Sequence, residues 1–106
     1  MKKYLHLVML ILLLTCVSVL IVGAQENIGE TLFNEHCLVC HPGGGNIINP
    51  QKTLLSSDLT ANNITKPEDI ITIMRNPGPG MSRFDNGKIP DNFAEKLAEY
   101  ILKTFK

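Results

Sequence analysis

Residues 36–42 read H-C-L-V-C-H-P, which gathers two thiols and two imidazoles into one short stretch of a chain of 106 residues with only three cysteines and three histidines. Cys37, Cys40 and His41 form C-x-x-C-H, the attachment spacing of c-type haem. On a helical turn the two thiols reach the two vinyl groups of one porphyrin to form thioethers, and the adjacent histidine becomes the proximal ligand of the iron. One motif implies one haem, held covalently so that it cannot leave a small, shallow domain. Other uses of these residues fit less well. A redox dithiol of thioredoxin type expects a β-α-β context, whereas the pattern here is helical. Structural zinc needs a fourth ligand beyond Cys37, Cys40 and one of His36 or His41, and neither a second C-x-x-C nor a distant histidine pair follows. A disulfide across two intervening residues is poor geometry on a helix.

The sixth coordination position then has three candidates outside the N-terminal leader: His36, Met74 and Met81. His36 precedes Cys37 on the attachment segment itself and cannot swing to the opposite haem face. Met74 shares a helical spacing with Ile70 and Ile73, where methionine serves as core packing. Met81 stands in N-P-G-P-G-M-S-R-F, residues 76–84, whose alternating prolines and glycines exclude helix and central strand and leave an extended loop able to reach the distal face. Met81 is therefore the expected distal ligand. A six-coordinate iron with His and Met has no vacant position for substrate, and no distal acid–base pair accompanies it. The expected function is one-electron transfer, not enzymatic catalysis. A rival reading, a ligand-binding or peroxidatic haem domain, requires Met81 to leave the iron, and carbon monoxide binding to the ferrous protein separates the two.

The elements that must position these residues are helical, and no strand pattern or repeat is present. Asn27 and Glu30 form a capping box ahead of Ile28, Leu32, Phe33 and Cys37, which predicts a short first helix that delivers the motif. The glycines of H-P-G-G-G-N-I-I-N-P, residues 41–50, predict a loop that passes close to a flat group. S-S-D-L-T-A-N-N, residues 56–63, predicts one or two helical turns starting at Ser56 or Ser57 and ending at the asparagines. Thr65, Pro67 and Glu68 predict a third helix that carries Ile70, Ile73 and Met74 and stops at Asn76-Pro77. Phe93, Leu97, Tyr100, Ile101 and Phe105 line one face of a last helix that starts near Pro90.

Lys2 and Lys3 precede an apolar run from Leu5 to Val22. Val22-Gly23-Ala24 supplies small residues for cleavage, so residues 1–24 read as a signal peptide or an uncleaved N-terminal membrane anchor. Cys16 reads as an ordinary residue of that leader. Residues 25–106 form the second unit, and without Lys2 and Lys3 it has eight basic against ten acidic side chains, a net charge of about −2. That balance gives no nucleic-acid footprint. A domain of this size without tryptophan has a thin core and needs a staple, which a covalent haem supplies.

These stretches resemble a known family. G-E-T-L-F-N-E-H-C-L-V-C-H, the glycine loop running into N-I-I-N-P-Q-K-T-L, M-S-R-F and N-G-K-I-P-D-N-F-A are similar to the cytochrome c6 group of class I monohaem cytochromes c, the soluble carriers of cyanobacteria and algal plastids. H-P-G-G-G-N-I-I and the long leader also resemble cytochrome M of cyanobacteria. The resemblance implies an all-α class I cytochrome c fold, three to four helices around one covalently bound haem c and its iron. It implies that Gly29 and Phe33 cross Leu97 and Tyr100. It also implies a monomeric carrier in the thylakoid lumen or periplasm, serving redox partners such as a quinol-oxidising cytochrome complex, a photosystem or a terminal oxidase. Three positions depart from the family pattern: Ser82 follows Met81 where proline is usual, Arg83 occupies the place of a small residue, and Lys88 stands where arginine is frequent.

Overall fold

The computed structural model describes residues 1–106, except that the side chains of residues 16–27 lie outside the description. Helix α1 runs over Lys2–His36, a 3-10 turn follows at Pro42–Gly44, and α2 (Ser56–Ala61), α3 (Pro67–Arg75) and α4 (Asp91–Thr104) complete the chain. Among the described residues there is no strand. The all-α class expected from the sequence is the observed one.

The first helix differs from expectation. Its backbone is helical through position 27, so Asn27 does not begin a helix, and the segment before Cys37 is the end of a 35-residue α1. A capping residue matters only where backbone N–H groups lack partners, and a helix that arrives from the preceding residues supplies those partners. Leu5 to Leu14 expose their side chains. Cys16, the later part of the apolar run and Val22-Gly23-Ala24 fall outside the described side chains. Among the described residues no helix is long and apolar enough to cross a membrane.

The short α2 and its asparagine stop agree with the sequence: Asn62 is the C-cap and Asn63 takes a φ of 60°. Helix α3 begins one residue later than its expected capping box. The returning carboxylate is Asp69, not Glu68, and it accepts from the backbone N–H of Thr65 at 3.0 Å and of Lys66 at 3.1 Å. The bond from Thr65 leads the causes that hold the Asp69 carboxyl below the usual carboxylate value. Pro67 occupies the first turn, where its missing N–H costs nothing.

The core lies where α4 meets α1 and α3. Leu97, Ala98 and Ile101 of α4 are buried with Phe33 of α1, Ile70 and Met74 of α3, Leu59 of α2, and Phe84 and Ile89 of the connecting segment. Phe33 packs with ring centroids 5.7 Å from Tyr100 and 5.1 Å from Phe105. The expected crossing is present. A Cβ at Gly29 would stand 2.6 Å from the backbone oxygen of Lys96 and 2.6 Å from the Cβ of Tyr100. Only a residue without a side chain lets the two helices come this close. Phe93 departs from its expected place on the buried face: it remains 40% exposed. It stands two residues into α4, beside Ile28 and Leu32, on the rim of the crossing.

Candidate haem site

Helix α1 ends at the motif. The N–H groups of Cys37 and Leu38 both donate to the carbonyl of Phe33, at 2.8 and 2.9 Å, and Cys37 is the C-cap. The chain then turns tightly, with Cys40 and His41 donating to the Cys37 carbonyl at 3.1 and 2.9 Å. Cys37, Cys40 and His41 are therefore fixed on one turn, which begins four residues after Phe33, the residue that anchors α1 in the core. Both thiols are free and half-buried. Burial, reinforced by the neighbouring Cys40, pushes the Cys37 thiol up to about 11. A redox-active dithiol needs the opposite, a depressed pKa that supplies thiolate near neutrality.

The histidine is oriented by the loop that follows it. Its Nδ1 lies 2.8 Å from the carbonyl oxygen of Gly45. A carbonyl can only accept, so Nδ1 carries the proton and the lone pair of the neutral ring is on Nε2, as in histidines that bind metals. Gly44 is buried at a φ of 80°, with the Phe105 ring where a Cβ would stand. This turn closes the loop under the imidazole, and the Leu54 N–H donates back to the Gly44 carbonyl at 2.7 Å.

The surrounding surface fits a large apolar group. Ile47 donates its N–H to the Cys40 carbonyl at 3.0 Å, which holds the Ile47–Ile48 pair beside the motif although each side chain is 59% exposed. Ile48 also meets the loop after α3: its Cγ2 lies 2.8 Å from where a Cβ on Gly80 would be. Two thiols, an imidazole with a free Nε2 and adjoining exposed isoleucines match the chemistry of a covalently held porphyrin, and the two glycine-containing loops meet next to them.

The two methionines occupy different settings. Met74 is 4% exposed within α3 and belongs to the core. Met81 is half-buried on the loop after α3 and packs against the core's edge. His36 closes α1, half-buried, with its ring edge-on to Phe84 at 6.0 Å and its Nε2 3.9 Å from a Glu35 carboxylate oxygen. Sequence reasoning missed Arg75. Its guanidinium donates to the carbonyls of Phe84 at 2.8 Å and Ile89 at 2.9 Å and to the Asp91 carboxylate at 2.7 Å. A cation in the last turn of a helix normally signals only a favourable dipole contact, so the sequence held no mark of this reach.

A family model described as cytochrome c oxidase, cbb3-type, subunit III, matches residues 24–101. Cytochrome c6 of Cyanidioschyzon merolae is 38% identical over 78 residues, covering 74% of this chain and 73% of that protein. The chain belongs to the cytochrome c6 group of class I c-type cytochromes. Cytochrome c6 of Rippkaea orientalis is 33% identical over 104 residues, covering 96% and 93% of the two chains. Among solved structures, the outer membrane cytochrome OmcF of Geobacter sulfurreducens is 44% identical with a TM-score of 0.72, covering 74% of this chain and 99% of its own. Membership fixes the cofactor as covalently bound haem c with its iron, and the role as electron transfer, not enzymatic catalysis. When bound, the haem supplies a site that gains and loses a single electron.

Proposed function

We propose that this cytochrome shuttles single electrons between membrane redox complexes, with Cys37 and Cys40 as the haem thioethers, His41 as proximal ligand through Nε2 and Met81 as distal ligand. The observation that carries the reading is the hydrogen bond from His41 Nδ1 to the Gly45 carbonyl. It fixes the ring on the turn that bears both thiols and leaves the second nitrogen available. Methionine opposite histidine stabilises the ferrous state relative to two imidazoles, which suits a carrier that accepts electrons from a quinol-oxidising complex. The acceptor is a photosystem or a terminal oxidase.

Attachment is tested by denaturing the holoprotein and extracting it with acid-acetone. The haem is expected to stay with the polypeptide, and complete removal by solvent would overturn the thioethers. Cys37→Ser or Cys40→Ser is expected to yield a single-thioether protein in low amount or no stable holoprotein, because the domain is too small to fold well without its staple.

The charged and apolar leader supports export to the thylakoid lumen or periplasm, with residues 1–24 either removed or retained as an anchor. Mass spectrometry of the native protein is expected to find a chain starting at Gln25, or the intact leader in the membrane fraction. Haem-bearing protein recovered from the cytosol would contradict both forms.

A further inference from the structure

The segment that carries Met81 is tied at both ends to the last turn of α3. At its start, Asn76 caps the helix by donating its N–H to the Thr72 carbonyl at 2.9 Å. At its end, the Phe84 N–H donates to the Met74 carbonyl at 2.9 Å while the Phe84 carbonyl accepts from Arg75 Nη1 at 2.8 Å. Arg75 also spans onward: Nη2 donates to the Ile89 carbonyl at 2.9 Å, so one guanidinium bridges the end of the distal loop and the end of the turn that leads into α4. Its side chain is only 18% exposed, whereas that of its carboxylate partner Asp91 is 75% exposed. The two carbonyl bonds are thus the shielded ones, and the ion pair stands in water, where such pairs contribute little.

Between those ties the backbone of residues 76–83 has little of its own to hold it. The Met81 N–H reaches the Gly78 carbonyl at 3.5 Å, a long bond, and Ser82 provides none of the φ restriction that proline gives at that place. With weak internal bonds, the position of the loop depends on its anchors. We propose that Arg75 is a positioning residue for the distal ligand: its fork of donors clamps the far end of the Met81 loop onto α3 and keeps the thioether from leaving the iron. This inference rests on Met81 as the sixth ligand. A lysine cannot replace the clamp, since a single ammonium lacks the planar fork that spans two carbonyls in different directions.

The experiment compares holoprotein variants Arg75→Met, Arg75→Lys and Asp91→Asn with the wild type. Three readouts are taken: the ferric charge-transfer band near the red end that marks sulfur ligation, the reduction potential, and the rate of carbon monoxide binding to the ferrous protein. Loss of a shielded bond from a charged donor is expected to raise the open-loop population, and with it the carbon monoxide rate, about ten- to a hundredfold in both Arg75 variants. The band is expected to fade on heating well before helicity is lost. Asp91→Asn, which leaves both carbonyl bonds, is expected to stay within about threefold of wild type, as for an exposed pair. If Arg75→Met does not fold, Arg75→Lys decides the matter. Arg75 variants that melt earlier but keep the band, the potential and the slow carbon monoxide reaction would reduce Arg75 to a purely structural role and overturn the clamp. A wild type that lacks the band and binds carbon monoxide freely would instead overturn methionine ligation itself, and the clamp with it.

Discussion

Replacing Met81 with alanine is expected to abolish the red charge-transfer band, to open the ferrous iron to carbon monoxide and to lower the reduction potential by a few tenths of a volt, within the about 0.8 V range that axial ligands span. Met81 sits half-buried at the core's edge, on a loop whose firm backbone ties are at its ends and whose one internal bond is long, so its position can adjust. Met74 has no such freedom. It is 4% exposed between helices, and its own backbone carbonyl is engaged by Phe84. Met74→Leu conserves volume and is expected to cost under about 1.5 kcal/mol while leaving the band in place. A band lost in the Met74 variant and kept in the Met81 variant would move the ligand to Met74. A band kept in both would exclude both Met81 and Met74 as the source of the sulfur, whereas a wild type without the band would remove methionine from the iron and with it the main physical support for the carrier.

Gly29→Val is expected to be the most damaging single change away from the haem. A Cβ there falls 2.6 Å from a backbone oxygen of α4 and 2.6 Å from the Tyr100 Cβ, and neither atom is the far end of a flexible side chain that can move aside. The helices must separate, which strips Phe33 of its contacts with Tyr100 and Phe105. Overpacking of this kind costs about 3 kcal/mol at the upper end of the usual range. In a domain of this size each kcal/mol moves the melting temperature by about 4–8 °C, so a fall of about 12 °C or more is expected in a thermal melt of the holoprotein. A fall of less than about 4 °C, equivalent to under 1 kcal/mol, would show that the crossing relaxes freely.

The parts of the fold readable from sequence were those governed by local chemistry. Asn62 and Asn63 stop α2 because asparagine tolerates the conformation a helix end requires, and Asn76-Pro77 stops α3 because proline cannot continue it. Gly29 was placed at the crossing through the family resemblance, and the contact distances there give the physical reason. Errors arose where a local signal was overridden by what surrounds it. The Asn27 box has no helix end to cap, since α1 already runs through it. The choice between Glu68 and Asp69 turned on a shift of one residue, within the usual uncertainty of a helix boundary. Phe93 has the right period but lies at the start of α4, where the partner surface of α1 offers only a rim. At the candidate site the residue types of the motif were evident, because so few cysteines and histidines are crowded together. The His41–Gly45 bond and the triple reach of Arg75 were not, since both depend on how loops close in three dimensions.

The α1–α4 crossing also sets an order of assembly. Phe33 stands just before the motif, whereas Leu97, Tyr100 and Phe105 come much later in the sequence, after α2 and α3. A polypeptide delivered from its N-terminus therefore presents Cys37, Cys40 and His41 long before the helix that closes over Phe33 exists. During that interval the motif lies on an open chain, and closing the intervening loop carries an entropic cost that only the completed crossing can offset. Attachment chemistry acting in this interval meets accessible thiols, and α4 then arrives as the bolt that shuts the domain behind it.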